Sequence, residues 1–304
     1  MAELVNELSW SKSRDETFRK CPRQYYFHYY GSWGGWEAGC DARVRKIYVL
    51  KQLVTRAMWA GSKVHDCIKR ALRNIRRSIE PMPEGEAIET TLAIMRKDFA
   101  SSRRRDYWKN PKTCGFFEHE YGLSVPDGQW KETADHVVHC LEAFYRSNVF
   151  GRIRTLPTER WLDVEDFSSF PLDGVKIHVV LDFSYRDEHG GIVIYDWKTG
   201  RADEQRNEVQ LACYSFYATE QWGVPPERVT TIEFNLASGQ ENPYHLEGKG
   251  LTSIRQYILS SIRDMKSLLA DVATNRAVEE RFAFTENEGT CRYCNFRAVC
   301  PRWA

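Results

Sequence analysis

The stretch Ile192-Val193-Ile194-Tyr195-Asp196-Trp197-Lys198 limits what this chain can fold into more than any other part of it. Consecutive β-branched residues read as a strand that is apolar on both faces, the pattern of a strand inside a sheet. Side chains alternate along a strand, so Asp196 and Lys198 share one face. Charges are rarely set into a buried strand unless they are paired or bound to metal. Residues 175–186 also read as a strand, and Asp187-Glu188-His189-Gly190 as the hairpin turn between the two. Such a hairpin can bring Asp182 beside Asp196 and Lys198. Two carboxylates on adjacent strands make an oxygen-rich site suited to Mg²⁺ or Mn²⁺. A lysine beside them can orient a water nucleophile or stabilise charge on a phosphate. The residue types therefore point to metal-dependent phosphodiester hydrolysis. A hairpin with ordinary surface charges is the competing reading.

The rest of the chain divides around this hairpin. Residues 11–30 read as a short helix running into a tyrosine-rich cluster. Residues 50–79 read as a helix, with Val64, Ile68, Leu72, Ile75 and Ile79 forming one apolar stripe. Pro81-Met82-Pro83 ends it. Two more helices are expected over 86–104 and 132–147. Strand character begins after residue 156, with strands over 159–164, 175–186, 191–197 and 229–236 and helices over 204–221 and 252–273. Residues 282–304 read as a loop-like tail holding three cysteines. No run of 18 apolar residues occurs, and the N-terminus lacks a basic and apolar leader. No membrane partner is expected.

Composition excludes some function classes. The 304 residues carry a formal charge of +1, which excludes indiscriminate coating of nucleic acid. Local basic groups remain, at Arg70, Arg73, Arg76 and Arg77 and at Arg103, Arg104 and Arg105. Aromatic residues make up 13%, enough for some to stack on unpaired bases. Nine cysteines, odd in number and sparse, suggest a reducing, cytoplasmic compartment. Four of them have informative positions. Cys291, Cys294 and Cys300 are tightly spaced, and Cys21, like Cys300, precedes a proline. Four thiolates can bind an iron–sulfur cluster or zinc, and spacing alone does not choose between them. Cys40, Cys67, Cys114, Cys140 and Cys213 lack such spacing.

Three further residues stand out, although each alone would be read as structural or packing. His65, in Gly61-Ser62-Lys63-Val64-His65, opens the striped part of the long helix, and neutral imidazole is a common metal ligand. Gln210 and Tyr214 lie one helical turn apart. In sequence order, Gly-x3-His65, Asp182, Asp196-Trp197-Lys198-Thr199 and Gln210-x3-Tyr214 resemble the RecB-type nucleases of the PD-(D/E)xK superfamily. The resemblance implies that His65, Asp182 and Asp196 hold the metal, that Lys198 is catalytic, and that Gln210 and Tyr214 form an auxiliary motif. Glu159 matches the early carboxylate of the family, and Asp163, Glu165 and Asp166 compete for that role. Val179 stands where the family often has Gly.

One cysteine before the core and three after it is similar to the iron–sulfur RecB-family nucleases, among them the AddB-type subunits and the CRISPR-associated RecB-like exonucleases. This implies a structural 4Fe–4S cluster on Cys21, Cys291, Cys294 and Cys300. It also implies an α/β, restriction-endonuclease-like core, with a central mixed sheet flanked by helices, a helical N-terminal part and a cluster region joining the two ends. Four segments follow: 1–55 with one cluster cysteine, 56–150 helical, 151–275 the nuclease core, and 276–304 with the other cluster cysteines. No G-x4-G-K-[S/T] phosphate loop is present, which separates the chain from helicase–nuclease fusions. The expected activity is a Mg²⁺- or Mn²⁺-dependent DNA exonuclease acting on single-stranded or free ends, in a CRISPR adaptation or recombination-repair complex. The alternative is a non-catalytic iron–sulfur adaptor that binds nucleic acid.

Overall fold

The computed structural model describes residues 4–200, 208–246 and 248–303. β1 (Ser9–Trp10) leads into α1 (Lys12–Lys20), whose first turn is capped by the Ser11 hydroxyl accepting the Arg14 N–H. α2 (Pro22–Tyr26) has proline at its first position and runs into a π-helical turn over Phe27–Gly31. The helix expected over 50–79 is two helices, α3 (Ala42–Lys51) and α4 (Arg56–Arg76). The break has a local cause. Thr55 caps α4 by accepting the Met58 N–H, while Val54 bridges to Phe116. Ile79 lies beyond α4 and is exposed, so it is not part of the stripe. α5 (Glu84–Arg103), α6 (Phe117–Glu120), α7 (Asp127–Arg146) and α8 (Asn148–Thr155) complete the helical half.

The second half holds β2 (Asp166–Leu172), β3 (Val175–Leu181), β4 (Phe183–Arg186), β5 (Ile192–Lys198), α9 (Glu208–Trp222), β6 (Val229–Asn235), β7 (Gln240–Tyr244) and α10 (Gly248–Ser267). β8 (Leu269–Asp271), β9 (Arg276–Ala277) and α11 (Glu288–Arg292) follow. The first residues of the expected helix over 204–221, 204–207, lie outside the described residues.

Strand character and a mixed sheet are present, with β5 and β6 parallel and β4–β5 and β6–β7 antiparallel. Apart from the small β8–β9 pair, the described strands form not one central sheet but two. One has the order β1-β3-β2 and the other β4-β5-β6-β7. The strand expected over 175–186 breaks at Asp182. Leu181 packs beside Trp10 and Ile177, whereas Phe183, of the same parity, packs beside Trp161 and Trp197. The chain has flipped faces between them. At the break the Asp182 carboxylate accepts the Trp197 N–H at 2.6 Å, the bond a ladder carbonyl would otherwise make.

Residues 159–164 are not a strand. A 3₁₀ turn, Thr158–Arg160, precedes an irregular segment that bonds to β4 through Leu162 N–H to Ser184 O and Ser184 N–H to Asp163 O, both 2.9 Å. β5 separates two cores. Ile192 and Ile194 face α9 and α10, while Tyr195 and Trp197 face α4, α7 and α8. At roughly 1.5–3 kcal/mol for each large apolar side chain removed from water, these two cores are the main force holding β5 in place. A third core, with Phe27, Leu50, Leu53, Tyr107 and Phe296, joins the N-terminal helices to the tail. Arg23 ties the same ends, donating to Phe282 O at 2.7 Å and pairing with Glu279 at 3.0 Å. Among the described residues, no helix is long and apolar enough to cross a membrane.

Candidate metal centre

α4 buries Val64, Cys67, Ile68, Ala71 and Leu72 at helical spacing, which leaves His65 on the edge of the buried stripe. One turn earlier, Gly61 lets α4 approach the end of β5; a Cβ there would sit 3.1 Å from Thr199 Oγ1. One and two turns after His65, Lys69 donates to Glu165 O at 3.0 Å and Arg73 donates to Asp166 Oδ1 at 2.7 Å. These bonds hold Glu165 with φ of 52°, a left-handed conformation that costs a non-glycine residue roughly 1–2 kcal/mol. The Glu165 N–H donates to Leu181 O at 2.8 Å. Its side chain is thereby aimed at α4.

The result is a group of three. His65 Nδ1 lies 3.0 Å from Glu165 Oε1 and 3.3 Å from Asp182 Oδ1. The ligand atoms of all three residues lie within 4.8 Å of one another. Asp182 can face His65 with Oδ1 because its Oδ2 is taken by the Trp197 N–H.

Asp196 is built from the other side. Its Oδ1 faces the Tyr214 hydroxyl at 3.0 Å and accepts from Gln210 Nε2 at 3.2 Å. The single Tyr214 proton is shared with Val180 O, 3.1 Å away, and Tyr214 Oη accepts from Gln210 Nε2 at 2.6 Å. Asp196 Oδ2 is buried without an aligned hydrogen bond, although Lys198 Nζ is 2.5 Å away. A buried carboxylate oxygen left in that state is suited to a cation.

Burial and charge set the protonation of these groups. Burial pushes the Asp182 carboxyl up to about 6, with His65 pulling the other way. Burial also works against the His65 imidazolium, but Asp182 and Glu165 outweigh it and hold His65 well above the usual range. For Lys198 the opposing burial is outweighed by Asp196, so its ammonium is held charged. Burial, then Asp196, keeps the Tyr214 hydroxyl protonated.

Both His65 and Asp182 bind protons more tightly folded than unfolded. Their stabilising contribution is therefore fully present below the unfolded pKa values. It is lost as pH rises through about 6 for Asp182 and higher still for His65. A divalent ion competes with those protons. The rise in Tm on adding Mn²⁺ is accordingly expected to be larger at pH 8 than at pH 5, by differential scanning fluorimetry. Glu165→Gln should remove most of that rise and Glu159→Gln should leave it.

The structure thus brings His65 and Asp182 together, and Asp196, Lys198, Gln210 and Tyr214 together, as the sequence suggested. It does not bring Glu159 to them; that residue is exposed on the 3₁₀ turn. Of its competitors, Asp163 accepts from Tyr217 and Asp166 pairs with Arg73, while Glu165 reaches His65. Arg73, read as a basic surface residue, is engaged in holding that segment. The four cysteines also converge. Cys21 lies between α1 and α2, and with Cys291, Cys294 and Cys300 it lines one small cavity. Burial, with the other thiols adding to it, pushes Cys294 up to about 12.

A search of the curated proteins finds no match. Among solved structures, SSO0001 is similar at 15% identity over 68% of this chain and 85% of its own, with a TM-score of 0.31; likeness at that level carries no argument. The model of the PD-(D/E)XK nuclease superfamily matches residues 9–301. That span contains the Asp182 and Asp196-x-Lys198 site and nearly the whole fold, and the chain belongs to the PD-(D/E)XK nuclease superfamily.

Proposed function

We propose that this chain is a metal-dependent deoxyribonuclease that digests single-stranded DNA from free ends. Superfamily membership supports a nucleic acid as the substrate and a divalent metal as the cofactor. The observation that carries the reading is the meeting of the His65–Glu165–Asp182 group with the Asp196–Lys198 pair across one bond, Trp197 N–H to Asp182. The donor set is carboxylate oxygen with one imidazole, which suits Mg²⁺ or Mn²⁺, and His65, Glu165, Asp182 and Asp196 would hold it. When bound, such an ion supplies charge at the scissile phosphate and an acidified water.

The chain's own residues do the rest. Gln210 and Tyr214 fix the Asp196 carboxylate, so that only Oδ2 faces the site. Lys198, held charged, places a positive group where charge develops as water oxygen bonds to phosphorus and the P–O bond to the leaving strand breaks. The same ammonium can hold the attacking water in line. Trp197 and Phe183, both fully buried, close the floor behind the carboxylates.

A structural 4Fe–4S cluster on Cys21, Cys291, Cys294 and Cys300 belongs to this reading. The four cysteines line one cavity, so the two ends of the chain meet where a shared cluster would sit. Family resemblance favours an enzyme of CRISPR adaptation or recombination repair.

The test is digestion of 5′- and 3′-labelled linear single strands beside a circular single strand, with Mn²⁺. Degradation of the linear strands and survival of the circle is expected. Cutting of the circle would show an endonuclease. Binding without any cutting would show the adaptor.

A further inference from the structure

The β2–β3 pair has one face in the core, through Phe170, Ile177 and Leu181, and one face open. On the open face Phe167 pairs across the ladder with Val180, and the two are 72% and 40% exposed. Phe167 also stacks on the His178 ring, with centroids 4.7 Å apart and an interplanar angle of 29°. A single exposed aromatic is ordinary. One held flat on a second ring, beside a second exposed apolar side chain, is a platform.

A second observation lies across the groove. The Arg14 guanidinium is 4.2 Å from the Tyr29 ring centroid, and the Lys51 ammonium is 5.7 Å from the same centroid. Two cations share one ring, and among the described residues neither makes a salt bridge. Burial and then Arg14 lower Lys51, and burial, Lys51 and Arg14 together lower His28 to about 3. An anion is the complement this spot lacks.

Phe167, His178, Val180, Arg14 and Tyr29 all line one groove of about 500 Å³, with Glu16 also on its wall, and the groove reaches Gln210 and Tyr214. The groove and the metal centre are joined by a short path. The Tyr214 hydroxyl contacts both Val180 O, behind the platform, and Asp196 Oδ1.

We propose that this groove carries the unpaired strand of the substrate to Asp196, with a base stacked on Phe167 and a backbone phosphate drawn to Arg14. The proposal rests on the nuclease reading and adds to it the path and the residue that selects single strands. The occupant follows from the chemistry. Stacking needs a free base face, which a single strand offers and a duplex hides. The Arg14 guanidinium wants the phosphate that comes with each base. A purely apolar protein partner would cover Phe167 but would leave Arg14 unanswered.

The test is fluorescence anisotropy on the whole protein in EDTA, with a labelled 20-nucleotide single strand and its duplex. Phe167→Ala should weaken single-strand binding roughly 5- to 100-fold, the range for loss of one base stack, and barely affect the duplex. Arg14→Gln should flatten the salt dependence for the single strand by about 0.7 in log–log slope, one phosphate contact. Unchanged single-strand affinity in Phe167→Ala overturns the proposal. So does a Phe167→Ala variant that instead turns a sedimenting oligomer into a monomer, since that makes the platform a protein contact. Wild-type cleavage with Mn²⁺ tests the nuclease reading separately. A wild type that binds through Phe167 but never cuts keeps the groove and loses the nuclease, and one that cuts with Phe167→Ala binding as tightly does the reverse.

Discussion

Asp196→Asn is expected to lower the rate of strand cleavage by about 10³-fold or more, the scale for losing a charge that stabilises the transition state. Asparagine is the informative replacement. Its carbonyl oxygen can still accept from Gln210 and Tyr214, which hold Oδ1 in the native site. What it removes is the negative charge on Oδ2, the buried oxygen that faces Lys198. Alanine would remove both and leave the Tyr214 hydroxyl without one of its acceptors. Lys198→Ala should show a loss of similar size. Lys198 is partly exposed, so its ammonium is not trapped in the Asp196→Asn variant and can turn to water. Folding should therefore survive, with cooperative melting retained.

Cys291→Ser is expected to abolish broad absorption near ~400 nm, to cut bound iron, and to lower Tm by about 10 °C or more. Structural metal–thiolate sites supply roughly 10–16 kcal/mol in small zinc domains, so even part of that is a large share of a stability of about 5–15 kcal/mol. The loss should be buffered here. Phe27 and Phe296 pack in the same region, and Arg23 and Arg43 both pair with Glu279 without any help from the cysteines. The tail is also pinned by Asn295, which donates to Leu53 O at 2.8 Å. The variant should then keep the α4–β5 site and some cleavage at low temperature. Elemental analysis checks the metal: iron at several equivalents supports the cluster, and one zinc contradicts it.

Much of the site was legible because its signals are local. Strand alternation alone put Asp196 and Lys198 on one face, and helical spacing put Gln210 and Tyr214 on another. The side chains of all four meet. The Gly61 of Gly-x3-His also has a physical reason, the close approach to Thr199. Glu165 was not separable from Asp163 and Asp166. Its placement depends on a left-handed backbone held by Lys69 from another element, and no spacing rule encodes that. The division into two sheets was hidden for a related reason. It turns on a side-chain carboxylate replacing a ladder carbonyl at Asp182, in a run that otherwise reads as one strand. β2 and β7 escaped notice because Pro171 and Pro243, with polar neighbours, suppress the strand signal on what are edge strands.

The most direct test of the account is single-turnover cleavage of one labelled single strand by the wild type and by Asp196→Asn, each with Mn²⁺ and with EDTA. The account predicts cutting by the wild type only with the ion, and none by the variant in either condition. Equal cutting by the variant, or cutting by the wild type in EDTA, would contradict it.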